Sequence, residues 1–226
     1  MKELVNNLCE KINSFTDEHH LLKDGVNLIP YASDVYNGIV GIANYSNNLK
    51  LDYAWHCIKK DLNIEQSINQ IYNYVSNEER AFYISSEFRK IILSSSIISS
   101  SIIAYIMGQV VCENRKCTHT EVIISNALTN MTDYDLENFI FLCNNCISVL
   151  GEYETIDIYK VEEEKKSSFQ CTIQICVAHG LFVTDSEIQV DDGIFQGLYY
   201  IKTGLCNELL EYIDKVKQLL QYKSNS

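Results

Sequence analysis

Apolar residues recur every three or four positions along most of this chain, which is the signature of helices with one buried face. Leu4, Val5, Leu8, Ile12 and Phe15, with Lys and Glu between them, predict an amphipathic helix over 1–24. Trp55, Ile58 and Leu62 predict inward positions in the next helical stretch, near 47–61. Ile68, Ile71, Tyr72 and Val75 do the same for Ile64–Val75. A further helix, capped by Ser76, is expected to start near Glu78 and run unbroken to Val111. Its first part, EERAFYISSEFRK, is amphipathic, and its second part, Ile91–Val111, holds 21 residues without a charge. The rest of the chain is expected to organise around this helix 78–111.

An uncharged run of that length suffices to cross a bilayer at ~1.5 Å per residue. Six of its residues are serines, however, in the triplets Ser94–Ser96 and Ser99–Ser101, and Gln109 adds another polar group. That apolar density is low for a span, and no cluster of Lys and Arg beyond Arg89 and Lys90 flanks it. A helix buried on all sides in protein is therefore preferred, and burial of 25–45 and 91–111 in a membrane is the competing reading. Within 25–45, Gly38 and Gly41 stand three apart and permit a close helix contact. His19 and His20 read as solvent-facing.

Beyond Val111 the pattern changes. Thr120–Leu128 reads as a short helix, and Thr132 or Asp133 caps another that carries Leu136, Phe139, Ile140, Cys143 and Ile147 on one face. EYETIDIYKV alternates and reads as a strand or extended connector, and EEEKKSS reads as an exposed link. A helix through Phe169, Ile173 and Cys176 ends at Gly180. A strand from Leu181, the acidic turn TDSEIQVDDG, a returning strand IFQGLYYIK and a final helix capped by Thr203 complete the chain.

Strand, helix, β-hairpin, helix is the order of a winged-helix module. The helix ending in His179-Gly180-Leu181-Phe182 and the strand passing into Tyr200-Ile201-Lys202-Thr203 resemble the wing region of many bacterial winged-helix domains. The expected fold is thus mainly α: a helical bundle body over 1–150 and a small C-terminal α+β winged-helix-like module over 151–226.

Charge decides against nucleic acid as the partner of such a wing. The chain carries 18 Lys and Arg against 30 Asp and Glu, a net charge of −12. Phosphate contacts need cations. Yet Ser167–Ile201 contains no Lys or Arg, while Asp185, Glu187, Asp191 and Asp192 are present. Thr118–Tyr159 likewise holds seven acidic residues, Asp133, Asp135 and Glu137 among them, and no Lys or Arg. Direct DNA binding is disfavoured. Docking on a protein with a basic surface through these seven named residues is the expectation.

Nine cysteines and the charged, amphipathic opening MKELVNNLCEKINSF, which is not an apolar signal core, lead us to expect reduced thiols in a cytoplasmic protein. Cys112, Cys117, His119, Cys143 and Cys146 form C-x4-C-x-H followed by C-x2-C, and a zinc-stabilised module is one alternative. Against it, Cys143 belongs to an apolar helical face. A Cys117–His119 nucleophile oriented by Glu121 or Asp133 is the catalytic alternative, and no recognised signature surrounds it. The preferred expectation is a non-enzymatic interaction protein without a cofactor. Its narrower form is an acidic inhibitor or immunity- or phage-defence-type factor occupying a basic groove.

Overall fold

The computed structural model describes residues 2–17, 49–59, 62–190 and 193–224. The stretch 25–45 with Gly38 and Gly41, the pair His19 and His20, and the acidic residues Asp191 and Asp192 lie outside the described residues. Within them the chain is mainly α, with a small antiparallel sheet towards its end.

The first helices follow the apolar period. Helix α1 (Lys2–Asp17) buries Val5, Leu8, Cys9 and Ile12. Helix α2 (Leu49–Lys59) buries Trp55 and Ile58, whereas Leu62 lies beyond its end and is half-buried. Helix α3 (Ile64–Tyr74) opens with a capping box in which Asn63 and Gln66 satisfy each other's backbone N–H groups. It buries Ile68 and Ile71, with Val75 buried just past its end.

The expected helix 78–111 is two helices. Helix α4 (Glu78–Leu93) is capped by Asn77 rather than Ser76, because the Asn77 side chain accepts from the Arg80 N–H. Helix α5 (Ile97–Cys112) starts after a break at Ser94–Ser96. The serines make the break. The Ser94 N–H closes α4 on Lys90, and the Ser96 Oγ accepts from the Ser99 N–H at 2.9 Å to open α5. Serine side chains offer the backbone an alternative to the helical ladder, and the first triplet uses it. The second triplet does not: Ser100 and Ser101 donate to Ile97 O, within α5. Both triplets are buried except Ser95.

As expected, α5 is buried in protein. It touches α2, α3 and α4, helix α6 (His119–Asn130), helix α7 (Asp133–Asn145) and the last helix, α9 (Gly204–Ser224). Among the described residues no helix is long and apolar enough to cross a membrane. Ile91–Val111 is divided between α4 and α5 by the break at Ser94–Ser96. Gly108 lets α5 and α2 meet: a Cβ there would stand 2.9 Å from Ile58 O.

The C-terminal part is a small α+β module. Strand β1 (Ile147–Leu150) pairs with β2 (Tyr153–Ile156) through a tight turn at Gly151, whose φ of 61° is left-handed. Ile147, expected on a helix, is in that strand, because α7 closes at Cys146. The expected extended run to Val161 instead shortens to β2 and a 3-10 turn, Ile158–Lys160. The expected link at EEEKKSS is another 3-10 turn and the first residues of helix α8 (Lys166–Ala178). Gly180, with φ 70°, ends α8 as expected. Strands β3 (Phe182–Val190) and β4 (Gly193–Lys202) form the hairpin, and the sheet order is β1-β2-β4-β3. Thr203 shares its hydroxyl proton between Gly180 O and Leu181 O, tying the base of the hairpin. Phe139 of α7 stacks on Phe182 at 6.1 Å, and Leu209, Ile213 and Val216 of α9 join the same continuous core as Val5 and Ile71.

Candidate functional site

The acidic residues divide by use. Asp185 and Glu187 are exposed on β3, and Asp185 accepts from the Glu187 N–H. Asp133 accepts from the Ser96 hydroxyl, pinning the start of α7 to the α4–α5 break. Asp135 is fully engaged. One of its oxygens closes the α7 capping box with Thr132, and the other accepts from Thr172 Oγ1 of α8 at 2.9 Å. Glu137 lines a groove of about 360 Å³ that also holds Lys160 and Lys165. In space, therefore, that layer is less one-signed than Thr118–Tyr159 alone.

The five candidate zinc ligands are spread out. Cys112 is exposed at the end of α5, Cys117 is half-buried in the loop, and His119 is exposed at the first position of α6. Cys143 and Cys146 are buried. The Cys143 thiol meets that of Cys206, which donates to Leu181 O at 2.9 Å. Among the described residues no group of three or more His, Cys, Asp or Glu side chains is placed to hold a metal ion. The Cys117 thiol is pushed up to about 12, mainly by burial, so at neutral pH it is a thiol and not the thiolate that nucleophilic chemistry needs.

A different set of residues converges on a cleft between α4 and the α5–α6 loop. The cleft measures about 210 Å³ and is walled by Tyr74, Phe82, Tyr83, Glu87, Lys90 and Cys117. Its geometry follows from helical spacing: Tyr83, Glu87 and Lys90 fall on one side of α4, three or four apart. Glu87 is 1% exposed. Its Oε1 accepts from Lys90 Nζ at 2.6 Å, and its Oε2 has no hydrogen-bond partner. Ser125 of α6 faces that carboxyl without meeting hydrogen-bond geometry, and its hydroxyl is also buried without a partner. The Tyr83 hydroxyl is a third such atom, close to Cys117.

Burial pushes the Glu87 carboxyl above the ordinary carboxylate range, and the Lys90 ammonium opposes that without cancelling it. Burial likewise raises the Tyr83 phenol, helped by the Glu87 charge.

The rim of the cleft is held from several sides. Arg80 lies over the Tyr74 ring at 4.5 Å and donates to Asn114 Oδ1 at 2.7 Å. Asn114 sits at φ 51°, a left-handed conformation that Asn tolerates. Lys116 bridges to Glu79 at 2.7 Å. Phe82, 53% exposed, stands at the mouth.

Compared with protein-family models, with curated proteins and with solved structures, the chain matches none.

Nothing in the sequence reading singled out Tyr83 or Glu87. The signal was present, since Glu87 lies three residues after Ile84 and four before Ile91, a charge set into the apolar stripe of its helix. Treating EERAFYISSEFRK as uniformly amphipathic hid it.

Proposed function

We propose that this chain is a non-enzymatic, cytoplasmic interaction protein that docks on a basic protein surface through its β3–β4 hairpin. One observation carries the reading. The hairpin exposes Asp185 and Glu187 on the strand that also exposes Val183, and exposes Leu198 on the paired strand, in a stretch, Ser167–Ile201, that has no Lys or Arg. Apolar residues ringed by one sign of charge favour a partner of the opposite sign. Asp191 and Asp192, in the same hairpin sequence, add to that charge. The same charge disfavours a nucleic-acid partner. An acidic inhibitor that fills the basic groove of its target is the narrower form of this proposal.

The test is affinity capture in detergent-free buffer with the wild type and the double variant D185K/E187K, followed by titration of the purified partner. Support is a basic protein held stoichiometrically by the wild type, lost by the variant and released by salt. Equal retention by both proteins, or no stoichiometric partner, overturns the assignment.

A further inference from the structure

We infer that the cleft between α4 and the α5–α6 loop is a binding site for a small neutral ring compound that carries an N–H or O–H donor next to an acceptor. Three independent features of the cleft specify such a ligand, and none of them belongs to the acidic hairpin.

The first is unmet polarity. A buried polar atom is nearly always hydrogen-bonded, because an orphan loses its hydration without compensation. Glu87 Oε2, Tyr83 Oη and Ser125 Oγ are buried here without a partner at hydrogen-bond geometry, Ser125 set against the Glu87 carboxyl and Tyr83 against Cys117. Two of them belong to residues that line the cleft, and Ser125 lies one turn beyond a third lining residue, Val122. A ligand N–H or O–H would satisfy Glu87 Oε2, and a ligand carbonyl or ring nitrogen would accept from the Tyr83 hydroxyl.

The second is charge. Glu87 already holds Lys90 at 2.6 Å, so the pair is internally neutral. A ligand cation would meet Lys90, and a ligand anion would meet a buried carboxylate. A neutral polar group meets neither penalty.

The third is shape. Tyr74, Phe82 and Tyr83 supply aromatic walls, and the Tyr74 and Tyr83 rings meet edge to face at 6.3 Å. A flat ring fits such walls. A cavity of about 150 Å³ suffices for benzene, and this one measures about 210 Å³. The room left over accommodates one polar substituent. Primary amides on aromatic rings and single nucleobases have this chemistry.

The experiment is ligand-observed NMR on the full chain with benzamide and cytosine as probes, and toluene and benzoate as controls. Binding of benzamide or cytosine, but not of toluene or benzoate, supports the site. It should weaken about tenfold in Tyr83→Phe and in Glu87→Met, the scale of one hydrogen bond to a buried partner. Should Glu87→Met fail to fold, Tyr83→Phe decides alone, since it deletes a single unpartnered oxygen. The inference is overturned if neither probe binds, if toluene binds as well as benzamide, or if the affinity is unchanged in the variants, in which case the cleft holds only water.

Discussion

Arg115 grips Glu121 with two parallel hydrogen bonds, Nη1 to Oε2 at 2.8 Å and Nη2 to Oε1 at 2.6 Å. The carboxylate they hold is also the reciprocal half of the α6 capping box, accepting from the Thr118 N–H at 2.8 Å. Its Oε1 receives the Tyr212 hydroxyl of α9 at 3.5 Å. One buried side chain thus joins the loop behind the cleft, the start of α6 and the final helix. Removing the guanidinium leaves that carboxylate with neutral donors only. Arg115→Met should lower stability by about 2 kcal/mol, the scale of a charged hydrogen bond lost to a buried partner. Denaturant unfolding measures it, and a loss no larger than that of an exposed ion pair would mean the fork is solvated and inert.

Gly108 lets α5 approach the backbone of α2. A methyl group there would lie 2.9 Å from Ile58 O and 3.1 Å from Ile58 Cα, and both are backbone atoms that cannot swing away. Alanine would gain about 1 kcal/mol of helix propensity and meet an overpacking cost of about 1–3 kcal/mol. Gly108→Ala should therefore be destabilising, whereas the same change at an exposed helical glycine is stabilising. A raised unfolding midpoint would show that α2 and α5 are not in backbone contact.

The helical periods predicted the elements well because burial of one face dominates at those positions: Ile68 and Ile71 in α3, or Ile84 and Phe88 in α4. The pattern was silent where local hydrogen bonds compete with the helix. Ser94–Ser96 breaks the chain although its flanks are apolar on both sides, and Asn77 outcompetes Ser76 as a cap by position alone. Asp133 and Asp135 read as surface charge because their partners, Ser96 and Thr172, are each 37 residues away. The cleft was hidden for the same reason. Its walls come from Tyr74, α4 and Cys117, and only the fold brings them together. By contrast, Cys143 on an apolar face was legible, since its buried neighbours Leu136, Phe139 and Leu142 share its helix.

The nine thiols should alkylate in an order set by exposure and thiolate fraction. Cys112 and Cys171 are exposed. Cys9 and Cys117 are pushed up to about 11 and about 12, in both cases chiefly by burial. Cys57, Cys143, Cys146, Cys176 and Cys206 are buried. With iodoacetamide at neutral pH, peptide mass spectrometry should find Cys112 and Cys171 modified first. Cys117 should lag behind them although it lines the cleft. Fast modification of Cys117 would mean that its thiol ionises easily, and would restore it as a candidate nucleophile.

Two buried carboxyls give stability opposite dependences on pH. Burial acts against ionised Glu121, but the Arg115 and Thr118 hydrogen bonds outweigh it and hold its carboxyl below the ordinary range. A depressed carboxyl contributes stability that is present above its unfolded value and is lost as pH falls through its folded value. Glu87 is shifted upward, by burial first, and the neighbouring Glu121 charge acts in the same direction. A raised carboxyl contributes stability that is full below the unfolded value and declines as pH rises through the folded value. The wild type should therefore lose stability on both sides of the ordinary carboxyl value of about 4.3. Of the other titratable groups that act on Glu87, the Tyr83 phenol and the Cys117 thiol are both raised by burial, and the Glu121 carboxyl is held below the ordinary carboxylate range by Arg115 and Thr118. Relative to the wild type, Glu87→Gln should thus gain stability with rising pH across the window of about pH 4 to 7, while Glu121→Gln should lose less than the wild type on acidification below it. Denaturant midpoints at a series of pH values read both differences. A Glu87→Gln difference that stays flat across the window would show that the Glu87 carboxyl titrates in the folded chain as it does in the unfolded one.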